Sequence, residues 1–184
     1  AWSPGTGGNV TGEVIYLDAA TDSALDTFRG KIKGKFVLLN EPREIKAHFT
    51  PEATREADSS LLDMANADLP RRGGRRGFNF TMTPEQKRRA LVEYHKFELC
   101  QREGAAGVLT ISRGDGGNIF VQQAGVPTHP DTPFVSRVSA YSPKAPKIPP
   151  QFSVASEHYN RLVRMIQKGE RPTLELELDV SFTR

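Results

Sequence analysis

Apolar residues recur along this chain in two rhythms, alternate positions and helical spacing, and their order predicts a sheet-rich domain flanked by helices. Val10 to Leu17 follows a glycine-rich approach and is rich in β-branched and aromatic residues, which predicts a first strand. Phe36-Val37-Leu38-Leu39 contains no polar residue, the pattern of a strand covered on both faces, and Pro42 closes it. Thr83-Pro84-Glu85-Gln86 is a helix start in which Thr83 and Gln86 can form a capping box. The predicted helix runs to Glu103 with Ala90, Leu91, Tyr94, Phe97 and Cys100 on its inward side. Gly104 supplies the left-handed residue that stops it. Val108 to Ile111 follows as a buried strand, then a turn at 113–117 and a returning hairpin arm at Ile119-Phe120-Val121.

Prolines recur from Pro127 to Pro150, so the backbone there is expected to be extended and poor in N–H donors. The chain then enters a strand at Phe152-Ser153-Val154. Ser156 is expected to cap another helix, with Glu157 in its first turn and Tyr159, Leu162, Val163 and Ile166 facing inward. Gly169 and Pro172 end that helix. From Thr173 to Phe182 apolar and polar residues alternate strictly, which predicts a half-buried strand.

Residues 40–83 break this plan and read as an insertion. Thr50-Pro51-Glu52 signals a helix start, but Ala53, Ala57, Leu61 and Met64 make only a thin apolar stripe, so that helix is expected on the surface. Beyond Pro70 the run Arg71-Arg72-Gly73-Gly74-Arg75-Arg76 has no periodicity and reads as an exposed loop.

At 184 residues the chain fits one domain carrying that insertion. Such a length buries roughly 70% of the unfolded surface and needs neither a disulfide nor a metal to be stable. The one cysteine, Cys100, cannot form an internal disulfide, and it reads as a small buried hydrophobe. No apolar run approaches the roughly 18 residues of a membrane span. The opening Ala1-Trp2-Ser3-Pro4-Gly5 and a strand still running at Phe182-Thr183-Arg184 read as an excised piece of a longer protein. The formal charge of +3 is modest and local, concentrated at 71–76 and at Lys87-Arg88-Arg89.

Three segments together resemble the protease-associated (PA) domain. Lys31-Ile32-Lys33-Gly34-Lys35-Phe36-Val37-Leu38-Leu39 is similar to its "G-K-hydrophobic-V-L" strand. Gly104-Ala105-Ala106-Gly107-Val108-Leu109-Thr110-Ile111 is similar to its "G-A-x-G-hydrophobic" strand. Ile148-Pro149-Pro150-Gln151-Phe152-Ser153-Val154, with the helix ending Lys168-Gly169, is similar to its "I-P-x-hydrophobic" strand and closing helix. Trp2-Ser3-Pro4-Gly5-Thr6, Ser112-Arg113-Gly114-Asp115-Gly116-Gly117 and Val154-Ala155-Ser156-Glu157-His158-Tyr159-Asn160-Arg161 further resemble the PA insert of bacterial M28-family zinc peptidases. The resemblance covers the chain apart from residues 40–83. It implies an α+β fold of the swivelling β/β/α type, a mostly β core flanked by helices, with no chemistry of its own. It also implies a secreted or periplasmic host aminopeptidase with two zinc ions in its catalytic domain, whose substrate access or protein contacts the PA domain influences. The implied partners are that catalytic domain and a peptide or protein substrate. Nucleic acid and membrane are not among them.

The chemistry of such a host is missing from this chain. Its catalytic pattern needs a His-x-Asp, a bridging Asp and an adjacent Glu-Glu pair; only His129-Pro130-Asp131 matches any part, and no Glu-Glu occurs. His129-Pro130-Asp131 reads as a turn in a proline-rich loop. Arg113-Gly114-Asp115, a tripeptide that some adhesion receptors read, is explained here by turn chemistry. His158 and Tyr159 fall in the first turn of a helix, where a surface place beside the cap is the default. His48 and His95 have no ligand partners nearby in sequence. The triplets Asn9-Val10-Thr11 and Asn79-Phe80-Thr81 are glycosylation sequons, meaningful only in a eukaryotic secretory protein.

One feature supports a different class of function. Arg71, Arg72, Arg75 and Arg76 could grip carboxylates or phosphates bidentately, which would make the chain an independent module for an acidic partner. No aromatic platform alternates with these residues, which disfavours nucleic acid. Replacing all four by alanine separates the readings: a large loss of binding to an acidic partner marks an interaction module, and unchanged binding marks a passive loop.

Overall fold

Phe36, Val37 and Leu38 are fully buried because the strand they form has a neighbour on each edge and helix on each face. The computed structural model describes residues 3–51, 53–67, 82–114, 116–120 and 123–181. Four strands, β1 (Asn9–Tyr16), β2 (Phe36–Leu38), β3 (Gly107–Ile111) and β4 (Gln151–Val154), lie side by side and parallel. A fifth, β5 (Thr173–Glu177), pairs antiparallel with β1, giving the order β4-β3-β2-β1-β5. The fold is therefore α+β, a five-stranded mixed sheet flanked by helices, an arrangement consistent with a PA-like domain.

Alternation along the strands divides the core in two. Val37 and Val108 face one side with α1 (Asp22–Asp26) and with Leu99 and Cys100 of α3 (Pro84–Glu103). Phe36, Leu38 and Leu109 face the other, against Tyr159 and Val163 of α4 (Ser156–Gln167). These units belong to one body, Ala1–Ile45 with Thr83–Arg184; Lys46–Met82 forms a second compact unit.

The start of α3 follows its sequence closely. The Thr83 hydroxyl accepts from Gln86 N at 3.2 Å, and the Gln86 side chain accepts from Thr83 N at 2.9 Å. The other end stops at Gly104, whose φ of 74° is left-handed, and Gly34 N then donates to Gly104 O at 3.0 Å. Three residues on, Gly107 enters β3 beneath two rings. Phe36 and Phe152 pack edge to face with centroids 6.5 Å apart, and a Cβ on Gly107 would lie 2.9 Å from the Phe152 ring.

Several sequence expectations change. The inward side of α3 is Lys96, Leu99 and Cys100, while Ala90, Leu91, Tyr94 and Phe97 are only half-buried. Phe97 still packs against the cluster of Leu99 and Cys100, and Lys96 joins the inward side with its ammonium bonded to Glu93. No hairpin forms at Ile119-Phe120: β3 already has β2 and β4 on its two edges, and both residues stay about half exposed, at 52% and 53%. Val121 lies outside the described residues. In the second unit the helix α2 (Asp58–Ala65) begins eight residues after Thr50, at a cap, Ala57, that offers no side-chain bond. The proline at 51 had no apolar face behind it to hold a helix, and α2 itself buries no residue. The short α1, capped by Thr21, is too brief to leave a periodic signal.

The final strand is regular only to Glu177, where its partner β1 begins at Asn9. Its alternation nevertheless persists, since Leu178 and Val180 remain half-buried and Leu178 O accepts from Thr6 N at 2.9 Å. Cys100 is completely buried, and that burial, with the Glu103 carboxylate second, pushes its thiol up to about 12.

A polar clasp joins β1, β2 and the approach to β5. Glu13 accepts from Arg171 at 2.7 and 3.1 Å and from Lys35 at 3.0 Å. Arg171 first, then Lys35, holds the Glu13 carboxyl down to about 2, from an ordinary value of 4.5. The folded value lies below the unfolded one, so the contribution is complete above pH 4.5 and lost as pH falls toward 2. The urea midpoint of the wild type should exceed that of Glu13→Gln above pH 4.5, with the gap closing as pH falls. A gap of constant size down to pH 2 would contradict this account.

Candidate functional site

In sheets built from parallel strands, the loops that leave the carboxyl ends converge on one edge, and that edge is where such folds place ligands. Here it comprises the segment 39–43 after β2, 112–120 after β3, and the start of α4 after β4. The apolar strands fix where these segments begin. Polar side chains fix where they go.

Tyr159 is completely buried, and its hydroxyl donates to Asn40 O and accepts from Asn40 N, both at 2.8 Å. Asn160 grips Arg43 in the same way, accepting from its N at 3.1 Å and donating to its O at 2.6 Å. Asn40 in turn accepts from Ile111 N at 3.1 Å, which ties the loop after β2 to the end of β3. Two residues of α4 therefore set the course of a loop about 120 positions away in sequence.

Serines do the corresponding work after β3. Ser156 makes no cap bond, contrary to the sequence expectation; Ala155 occupies the cap position. The Ser156 hydroxyl is buried and lies within 2.9 Å of Ser112 O and 2.7 Å of Gly114 O, so it is consumed in holding the turn. Ser112 Oγ donates to Asn118 O at 3.0 Å and accepts from Phe120 N at 3.1 Å. The Arg113-Gly114 step is thus a tightly tied turn, in which a Cβ on Gly114 would meet Asn118 O at 2.6 Å. Asp115 lies outside the described residues.

Burial dominates the electrostatics of this edge. Burial raises the Tyr159 phenol above the ordinary tyrosine value, only partly offset by the Asn40 hydrogen bond. Tyr16 is raised as well, by burial and then by the carboxylates of Asp18, Glu41 and Glu93. Both phenols stay protonated at neutral pH, and that of Tyr159 serves as a hydrogen-bonding group. Lys96, with a side chain 6% exposed, donates to Glu93 at 2.8 Å and reaches Leu39 O at 3.5 Å.

The residues singled out from sequence fall elsewhere. Arg71, Arg72, Arg75 and Arg76 lie outside the described residues, as does Asn79. His129-Pro130-Asp131 is a turn: Asp131 N donates to His129 Nδ1 at 3.2 Å, and the Asp131 carboxylate is taken by Lys87 at 2.6 Å. His95 finds a distant partner, Asp22, at 2.7 Å, and His158 is exposed. Tyr159 faces inward, as the helical spacing predicted, and not to the surface as its place beside the cap suggested, and it is completely buried. Among the described residues no group of three or more His, Cys, Asp or Glu side chains converges as metal ligands do. None of the described helices is long and apolar enough to cross a membrane.

Among solved structures the chain is similar to an aminopeptidase from Aneurinibacillus sp. strain AM-1, with a TM-score of 0.45 and 12% identity. The aligned region covers 96% of this chain and 26% of that one, so the chain spans about a quarter of that aminopeptidase. No family model matches the chain, and no curated protein matches it in sequence.

Asn40, Ser112, Ser156 and Asn160 escaped the sequence reading because each looks like an ordinary turn or helix residue. The available signal was positional: Asn40 and Ser112 directly follow apolar strands, and Asn160 stands beside inward-facing Tyr159. Tyr159→Phe leaves the Asn40 N–H and C=O without their partner and should cost about 1–3 kcal/mol in urea unfolding. It should also speed amide exchange at Asn40. An unchanged midpoint and exchange rate would show that the loop is held by other means.

Proposed function

We propose that this chain is a non-catalytic protease-associated domain of a zinc-dependent aminopeptidase of the M28 type, and that it modulates substrate access or protein contacts. One observation carries the reading. The three segments that resemble the PA pattern become β2, β3 and β4, three adjacent parallel strands, and not scattered pieces of the fold. The spacing of the central segment has a physical reason as well. Gly104 ends a helix in a left-handed turn, and Gly107 admits the Phe36–Phe152 pair.

The carboxyl edge supports a role without chemistry. Its hydroxyls and amides are spent on backbone groups, its phenols are held protonated, and its loops are tied in a fixed form. A rigid frame presenting loops suits contact with a neighbouring domain or with a peptide on its way to one. On this reading the two zinc ions belong to the catalytic domain of the parent protein, and export of that parent is part of the same proposal.

The test compares the purified chain with the parent enzyme. The chain alone should bind no zinc in calorimetry and release no amino acid from aminoacyl nitroanilides. A parent lacking residues 1–184 should still cleave a nitroanilide while its KM for longer peptides changes severalfold. Chelator-sensitive aminopeptidase activity from the chain alone would overturn the proposal. So would identical kinetics on long peptides with and without the domain.

A further inference from the structure

Helix α1 meets the second half of α3 across a cleft of about 300 Å3, whose floor is Leu25 and Leu99, both buried. Two ties between the elements fix its ends. His95 holds Asp22 at 2.7 Å, and the Glu103 carboxylate accepts from Gly30 N at 2.8 Å and from Ile32 N at 3.3 Å. His95 and Glu103 stand two turns apart on α3, roughly 12 Å along its axis. The residues lining the cleft all lie well inside the described stretches 3–51 and 82–114.

Charges crowd the rim, and most of them are spent on one another. Asp22 is taken by His95, and Asp26 by Arg29 at 2.6 Å. Glu98 and Arg102 remain, one of each sign, a single turn apart on the face of α3 that borders the cleft. A glutamate followed by an arginine at that spacing ordinarily closes into an ion pair. It does so on the exposed first turns of this same helix, where Arg89 meets Glu85 at 2.6 Å. Beside the cleft, Glu98 and Arg102 pair neither with each other nor with another charged group among the described residues. The cleft therefore offers an acid and a base side by side over an apolar floor.

We propose that this cleft binds a free α-amino acid with an aliphatic side chain. The ammonium of the ligand sits against Glu98, its carboxylate is gripped by the Arg102 fork, and its side chain rests on Leu25 and Leu99. An α-amino acid carries both charges on one carbon, which suits an acid and a base that share one helix face. A simple anion or a simple cation would satisfy one of the two side chains and leave the other bare. The volume lies at the lower end of small-molecule sites, which suits one residue better than a longer peptide. This goes beyond the proposed function and stands without it; joined to it, the ligand belongs to the class of product that an aminopeptidase releases.

L-leucine titrated into 15N-labelled chain should move the amide signals of Leu25, Glu98, Leu99 and Arg102 in a saturable way at millimolar concentration. N-acetyl-leucine lacks the ammonium and leucinamide lacks the carboxylate, and each should bind about tenfold more weakly or worse. Glu98→Gln should lose the preference for leucine over N-acetyl-leucine, and Arg102→Gln the preference over leucinamide. Neither side chain is buried, and the rest of each variant's spectrum checks that it folds. Equal binding of the three ligands would overturn the proposal, as would leucine shifts confined to other residues or no saturable shift at millimolar leucine. N-acetyl-leucine binding as tightly as leucine would mark a plain anion site at Arg102 and overturn it too. A failure here leaves the aminopeptidase reading intact, because that reading is tested on the parent enzyme's kinetics.

Discussion

The whole structure depends on burying one three-residue strand completely. Phe36, Val37 and Leu38 have no exposed surface, so each needs a partner on every side. Two parallel neighbours satisfy the backbone, because a buried amide without a bond would cost more than the apolar contact returns. Parallel neighbours demand crossovers, and these place α1 and α3 on one face, while α4, on the way from β4 to the antiparallel β5, covers the other. The two faces of that short apolar run are thus what the helices on either side bury. Gly107 belongs to the same constraint, since the Phe36 ring occupies the space where a side chain on β3 would stand.

That constraint also explains why the polar work collects at one edge. Strands of three to five residues end abruptly, and their loops leave from a small area at the carboxyl side. Each loop carries backbone groups that must be bonded close to the core. Tyr159 and Asn160 meet this need for the loop after β2, and Ser112 and Ser156 for the turn after β3. The hydroxyls of Tyr159, Ser112 and Ser156 and the amide of Asn160 thereby become part of the frame.

The strands and the long helices were legible in the sequence because their signals are local: an all-apolar run, a Thr-Gln capping box, a left-handed glycine, strict alternation. What was not legible was decided by neighbours. Ile119-Phe120 reads as a strand, but no edge of β3 is left to receive it. Ser156 reads as a cap, but two carbonyls from the turn after β3 claim its hydroxyl. Ala90, Leu91 and Tyr94 read as inward-facing, yet the helix buries Lys96 and Leu99 beside Cys100 instead. The site was harder still, because its contacts join residues about 40 to 120 positions apart and no spacing rule connects Asn40 to Tyr159. The arginine-glycine run stood out in sequence for its charge alone.

The two sheet edges are protected differently. An open edge invites pairing with other chains, and folds blunt it with charge, short strands or cover. At β5 the positions Thr173, Glu175 and Glu177 are exposed, so charge guards that edge. At β4 the strand is short, Ser3 seals one N–H, and Gln151 holds a covering segment in place.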